Sequence, residues 1–322
     1  MSMIADELRP FWLPGLNRVV GTPSVSLTGL LGGQGYQIHS ALTTNAATLY
    51  FSDWNLVASA FACELAQSAM AAIETIESAA ARGRLPKSTG WLLIKCYYAG
   101  FFATQAIQRM LGRGIMRVDT SSANGIQTIA TLFGMQGATA FSAGLYRFQA
   151  NHPANTLTIT KLDRSLGSHV AHWTVAIELI RTLGEDILAA PTASADSVLV
   201  AAKLSEIEQL LTDAGRLPRG SWLSEIRNSV NYQQTMQAWY PYTGQPRFYS
   251  DLERRLLLWR SDPELIALNQ APSRDATHFV EACAFLVSLC RVLVLDMTKR
   301  TPEGKSFHHT TTVRLLRQLQ SA

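Results

Sequence analysis

The residues best suited to chemistry sit in one short segment, Ser221 to Tyr232. Trp222, Leu223, Ile226 and Val230 recur at helical spacing and form an apolar stripe, with Glu225, Asn228 and Tyr232 off it. Arg227 and Asn231 are four residues apart and share one helix face. A planar guanidinium with five donors, beside an amide and a phenol, is suited to gripping a phosphate. This makes Arg227, Asn231 and Tyr232 the candidate catalytic set, with Asn228 as a neighbouring substrate-binding group. The plainer alternative pairs Arg227 with a carboxylate such as Glu64 and leaves Asn231 to cap the helix.

A second segment runs from Trp91 to Gly112 and carries Lys95, Tyr97, Tyr98, Phe101, Phe102 and Ala103. Its paired aromatics and small residues predict a helix with bulky and small layers, buried on most sides because Lys95 is its only charge between Trp91 and Ala103. Lys95 and Tyr98 are its candidate substrate-binding groups; the alternative is a central packing helix. Other chemistry is thinly represented. No G-x-x-x-x-G-K-[ST] or G-x-G-x-x-G loop is present, and no G-x-S-x-G elbow. His169 and His172 lie three apart with no third ligand at a metal-site spacing, so no metal is expected. His308 and His309 stand among threonines and are expected to be solvated.

The two segments, in this order, resemble the HEPN superfamily of prokaryotic all-α domains. There, a helix of the form Y-Y-x-x-F-x-A precedes a helix bearing Arg, a polar residue and, a few residues on, His. Tyr97, Tyr98, Phe101 and Ala103 match the first pattern, and Arg227 and Asn228 match the start of the second. The resemblance implies an antiparallel helical bundle closed by the apolar helix after Ser273. It also implies metal-independent ribonuclease chemistry in a dimer, in which Arg steadies the scissile phosphate. The family's His would fall at positions 232 to 234, which here are Tyr232, Gln233 and Gln234. Without imidazole no group with a pKa near 7 stands there, and a phenol near ~10 is a poor general base. The resemblance therefore implies a subunit of a prokaryotic defence or toxin–antitoxin type system that binds RNA, nucleotide or a partner protein without a full catalytic site. An active endoribonuclease with a variant Arg/Asn/Tyr site is the first alternative, and a purely structural helical scaffold the second.

The elements that must position these residues are mostly helices. Asp53 is placed to cap a helix ending before Gly83, and Ser88 a second one ending at Gly112, with the link at Gly83 to Pro86 making them a hairpin. Further helices are expected over about 168–183, from Ser194 to before Gly215, from Ser221 to Tyr232, from Ser250, from Pro263, and from Ser273 to about Met297. Thr156 to Leu162 alternates β-branched residues as a strand, with Tyr36 to Phe51 and Leu145 to Gln149 as partners. The expected fold class is mainly α, a HEPN-like antiparallel helical bundle with a mixed α/β insertion. Its expected divisions are an extended N-terminal arm over 1–51, a bundle core over 52–112 and 220–299, an insertion over 113–219, and a basic C-terminal tail over 300–322. The arm's Gly and Pro content suggests that Phe11, Trp12 and Leu13 bury against a partner.

Composition sets the outer bounds. Of 322 residues, 47% are apolar and only 16% charged, which excludes a disordered chain. Four scattered cysteines without a C-x-x-C pair exclude a zinc ribbon and are expected as buried thiols. Net charge is +4, and the segment from Lys299 onward accounts for it through Lys299, Arg300, Lys305, Arg314 and Arg317 against Glu303. The apolar stretch Ala282 to Leu295 is shorter than the ~20 residues of a membrane span. The expected setting is cytoplasmic, with no leader, no membrane and no cofactor. The expected partners are a second copy or a protein complex, and RNA or nucleotide.

Overall fold

The computed structural model describes residues 2–40, 42–80, 88–135, 140–163, 167–213, 217, 220, 222–233, 238–239, 249–268, 276–301 and 305–321. The link at Gly83 to Pro86, the caps Ser221 and Ser273, and the stop at Gly215 lie outside them. The fold is mainly α with a small antiparallel sheet. In chain order the elements are α1 (Met3–Leu8), α2 (Leu27–Gly32), β1 (Gln37–Ile38), β2 (Ala46–Tyr50), α3 (Trp54–Ala80), α4 (Thr89–Met110), β3 (Arg113–Val118), α5 (Thr120–Leu132), β4 (Gly144–Asn151) and β5 (Thr156–Lys161). Then follow α6 (Ser168–Ala189), α7 (Ala195–Leu211), α8 (Trp222–Tyr232), α9 (Tyr249–Leu256), α10 (Ala276–Lys299), α11 (Phe307–Thr310) and α12 (Thr312–Ser321).

The chain forms two compact units, and their division falls inside α3, α4, α6 and α10 rather than near residues 112 and 220. The first unit, residues 1–10, 68–105 and 176–296, is helical. Within it α4 is central: Tyr97 donates or accepts a 3.0 Å hydroxyl bond with Ser224 of α8, and Gly100 lies against Cys283 of α10. Trp222 of α8 meets Phe279 of α10 edge-on, at 6.4 Å between ring centroids. Burying these rings and the wholly enclosed Phe285 and Leu293 supplies most of the unit's cohesion, at roughly 1.5–3 kcal/mol per large apolar side chain. Cys96, Cys283 and Cys290 are enclosed here, and burial pushes the Cys290 thiol up to about 12.

The second unit comprises residues 11–67, 106–175 and 297–322. Its sheet has the order β1-β2-β5-β4-β3, antiparallel throughout. Alternation puts Leu49, Phe148, Leu157 and Ile159 on one buried face, and Phe61 of α3 meets Phe148 there at 5.4 Å. Strand β3 has no counterpart in the expectations, because Gly112, Gly114 and two arginines hide its apolar alternation. Gly114 has φ +153°, and a side chain there would collide with Gln108 and Phe148.

Residues 1–51 are not an extended arm. They contain α1, α2, β1 and β2, and α2 is capped by Ser26, whose hydroxyl accepts from Gly29 N at 3.1 Å. Leu13 is buried and its N–H donates to Met110 O at 2.8 Å, so the Phe11-Trp12-Leu13 triplet is anchored within its own chain. The segment after residue 300 is likewise folded. Phe307 N donates to Val19 O at 3.2 Å, and His308, expected in solvent, is fully buried with neither ring nitrogen hydrogen-bonded among the described residues. Burial pushes its imidazole down to about 3.

Among the described residues two helices, α3 and α10, are long and apolar enough to cross a membrane. The Ala282 to Leu295 stretch lies inside α10, which runs 24 residues. In α10, 89% of the most apolar window is buried inside the protein, and in α3 61%.

Candidate functional site

Helix α8 owes its direction to Trp222, Leu223 and Val230, which are buried. Arg227 stands four residues after Leu223 and three before Val230, so the helical period carries it inward with them. Its guanidinium carbon sits 5.2 Å from the centroid of the Tyr97 ring. A guanidinium over an aromatic face is attracted by the ring quadrupole, by roughly 0.5–2 kcal/mol. Tyr97 is wholly buried and its hydroxyl is held by Ser224, which fixes the ring under the arginine.

Among the described residues Arg227 has no countercharge: no carboxylate pairs with it, and its Nε is buried without a hydrogen-bond partner. Glu64, the carboxylate considered for it from the sequence, is committed within the second unit. There it accepts Arg109 Nε at 2.9 Å and Leu27 N at 2.9 Å. Arg109 Nη2 also donates to Ile115 O at 2.9 Å, and its guanidinium lies 5.0 Å from the Phe148 ring centroid. Among the described residues, then, buried Arg109 has a carboxylate partner and buried Arg227 has none.

The remaining candidates divide by face. Asn231, one turn after Arg227, is half-buried, whereas Asn228 is exposed and Tyr232 is 76% exposed. Five residues at about 100° each set Tyr232 roughly 140° round the helix from Arg227. Arg227 and Tyr232 therefore do not converge on one reacting atom. Lys95 Nζ donates to Ser78 O at 3.1 Å, and Tyr98, half-buried, lies edge-on to Tyr97 at 5.4 Å. The structure thus brings Arg227 to Tyr97, with Tyr98 edge-on to that ring, and leaves Asn228 and Tyr232 outward.

Sequence reasoning passed over Trp91, Gly90 and Trp239. Trp239 Nε1 donates to Val230 O at 2.7 Å, and Gly90 N donates to Ala238 O at 2.7 Å. A side chain at position 90 would come within 2.7 Å of the Trp239 ring, so only glycine admits this approach. The Gly90-Trp91 step directly after the expected Ser88 cap was the available signal.

Other polar clusters offer less. Among the described residues no group of three metal-ligating side chains occurs. His172 is fully buried, and burial followed by the charge of Arg109 pushes it down to about 3, so it is neutral rather than poised. A groove of about 420 Å³ between α6 and α7 is walled by Ile180, Leu188 and Val198, and its Arg181 is already paired with Glu208 at 2.6 Å. Comparisons of the chain with protein-family models, with curated proteins and with solved structures find no match.

Proposed function

We propose that this protein is a non-catalytic, HEPN-like binding subunit that holds a phosphate group of RNA or nucleotide at Arg227, as part of a prokaryotic defence or toxin–antitoxin type assembly. The observation that carries the reading is the inward side chain of Arg227, its Nε buried without a hydrogen bond and its guanidinium stacked on Tyr97, with no carboxylate on it among the described residues. A buried charge without a partner is costly, and an anion is the species that relieves the cost. Asn231 on the same face adds an amide donor suited to a phosphate oxygen.

Cleavage is not part of the reading. Position 232 carries a phenol where the resembled enzymes have imidazole, and that phenol is outward while Arg227 is inward. Tyr232 is thereby not placed to take a proton from a ribose hydroxyl whose phosphate Arg227 holds. A cytoplasmic setting and assembly with a second copy or partner protein belong to the same proposal.

The test is RNA and nucleotide binding by the full chain carrying Arg227→Ala and Arg227→Lys. A charge-assisted phosphate contact is worth roughly 1.5–3 kcal/mol, so Arg227→Ala should weaken binding about ten- to hundredfold. Arg227→Lys should restore only part, because an ammonium has no bidentate fork. Unchanged affinity in both variants would remove Arg227 from the function.

A further inference from the structure

We infer that Trp91 and Trp239 form a stacking platform for the unpaired bases of single-stranded RNA. The inference rests on the reading of Arg227 as the phosphate contact and names the class of nucleic acid it would serve.

Trp91 is 57% exposed, unusual for the largest apolar side chain. It is not a stray surface residue. Its ring stands edge-on to Trp239 with centroids 5.4 Å apart and an interplanar angle of 86°. Trp239 is in turn immobilised three ways: by its bond to Val230 O, by the backbone bond from Gly90 to Ala238, and by lying flat on Gly90. An exposed ring braced by a fixed one presents an open π-face at little entropic cost to binding.

The position ties this platform to Arg227. Val230, which holds Trp239, is three residues from Arg227 on α8. Trp91 is six residues from Tyr97 on α4, a rise of about 9 Å and about 120° round the helix, so the platform is outward and roughly one and two-thirds turns along from the Tyr97 ring that carries the Arg227 guanidinium. Exposed Tyr232 follows Val230 at the same end of α8.

Charge selects the occupant. The 22 residues of α4 include no Asp or Glu, and Lys95, one turn beyond Trp91, donates one of its protons to Ser78 O and has two more. The acids in reach include Glu225, exposed on α8, and Glu77, which adjoins Ser78 on α3 and is paired with Arg260 at 2.8 Å. Aromatic faces beside cations fit single strands, whose bases are free to stack, and not duplexes, whose bases are already paired. Stacking is also tolerant of sequence, because every base has a π-face.

The experiment uses the full chain and measures anisotropy of labelled oligouridine, oligoadenosine and duplex RNA, with oligomeric state followed by sedimentation. Both single strands should bind more tightly than the duplex. Trp91→Ala should weaken single-strand binding roughly tenfold or more, and Trp91→Phe, which keeps a ring and guards against misfolding, should retain most of it. Oligouridine should also quench tryptophan emission in the native chain, and less so in Trp91→Phe. If Arg227→Ala weakens binding while Trp91→Ala does not, the platform is overturned and the Arg227 reading stands. If the native chain binds no RNA, or neither variant alters binding, both fail. A change of oligomeric state in Trp91→Ala with RNA affinity intact would overturn the platform in favour of a protein interface.

Discussion

Removing the Glu64 carboxylate gives the sharpest stability test. The Arg109 side chain is 8% exposed and that of Glu64 17%, and they meet at 2.9 Å. Glu64→Ala deletes the only carboxylate on Arg109 among the described residues, and leaves Arg109 Nη1, already without a hydrogen bond, beside an emptied position. Breaking a buried pair from one side costs about 3–5 kcal/mol, since the remaining charge has lost both water and partner. In thermal unfolding this is a fall in Tm on the order of 10 °C. Loss of the acceptor for Leu27 N adds little, because a first-turn N–H can turn to water. Glu64→Gln keeps acceptors for both donors and should fall between the native protein and Glu64→Ala. The double variant Glu64→Leu/Arg109→Met removes both charges and should be less unstable than the two single changes summed, by about 1–3 kcal/mol. Circular dichroism melts and urea titrations of the native protein, Glu64→Leu, Arg109→Met and the double variant complete the cycle, with Glu64→Ala and Glu64→Gln measured beside them. A cost for Glu64→Ala under ~1 kcal/mol, or a double variant as unstable as the two singles summed, would refute the argument that this pair is buried and coupled.

Three further outcomes are expected. Gly90→Ala should cost roughly 1–3 kcal/mol by driving a methyl into the Trp239 ring, and should alter near-ultraviolet circular dichroism; an unchanged spectrum would count against the Gly90–Trp239 approach. The four cysteines should resist a thiol reagent in the native protein and all react on unfolding, because they are buried and burial raises the Cys63, Cys96, Cys283 and Cys290 thiols; rapid native labelling would contradict the core described. His172 and His308 titrate near 3 when folded and near 6.5 when unfolded, so the unfolded chain takes up more protons below pH 6.5. Stability should be full above about pH 6.5 and fall toward pH 3 by up to ~1.4 kcal/mol per pH unit for each histidine, and His308→Leu should flatten part of that slope in urea titrations across this range.

Much of the helical scaffold was legible. Asp53 Oδ1 accepts Asn55 N at 2.9 Å at the start of α3, and Ser194 caps α7 in a reciprocal box with Ser197. Strand β5 followed its β-branched alternation. What escaped was structure made by partners distant in sequence. Strand β3 is recruited by β4 and not by its own pattern. Residues 10–35, rich in glycine and proline, are ordered by contacts such as Leu13 to Met110 O. His308 is polar by type yet enclosed by packing between the Val19–Gly21 backbone and the C-terminal helices. At the candidate site the helix and the face shared by Arg227 and Asn231 were visible. The inward direction of Arg227 was not, because a charged residue at an apolar period reads as a break. Its resting place on Tyr97 is a contact 130 residues away in the chain.

The central claim is that Arg227 is a buried cation awaiting an anion. Thermal unfolding of the native protein and of Arg227→Met, each with and without oligouridine, tests it in one measurement. Methionine keeps the stem and removes the charge. Without RNA the variant should melt at or above the native temperature, because no partner is stranded and an uncompensated charge is gone. With RNA at about a hundred times its Kd the native protein should gain roughly 2.7 kcal/mol, and the variant much less. A variant that melts well below the native protein without RNA, and gains as much as the native protein with it, would show that Arg227 serves the fold and not the ligand.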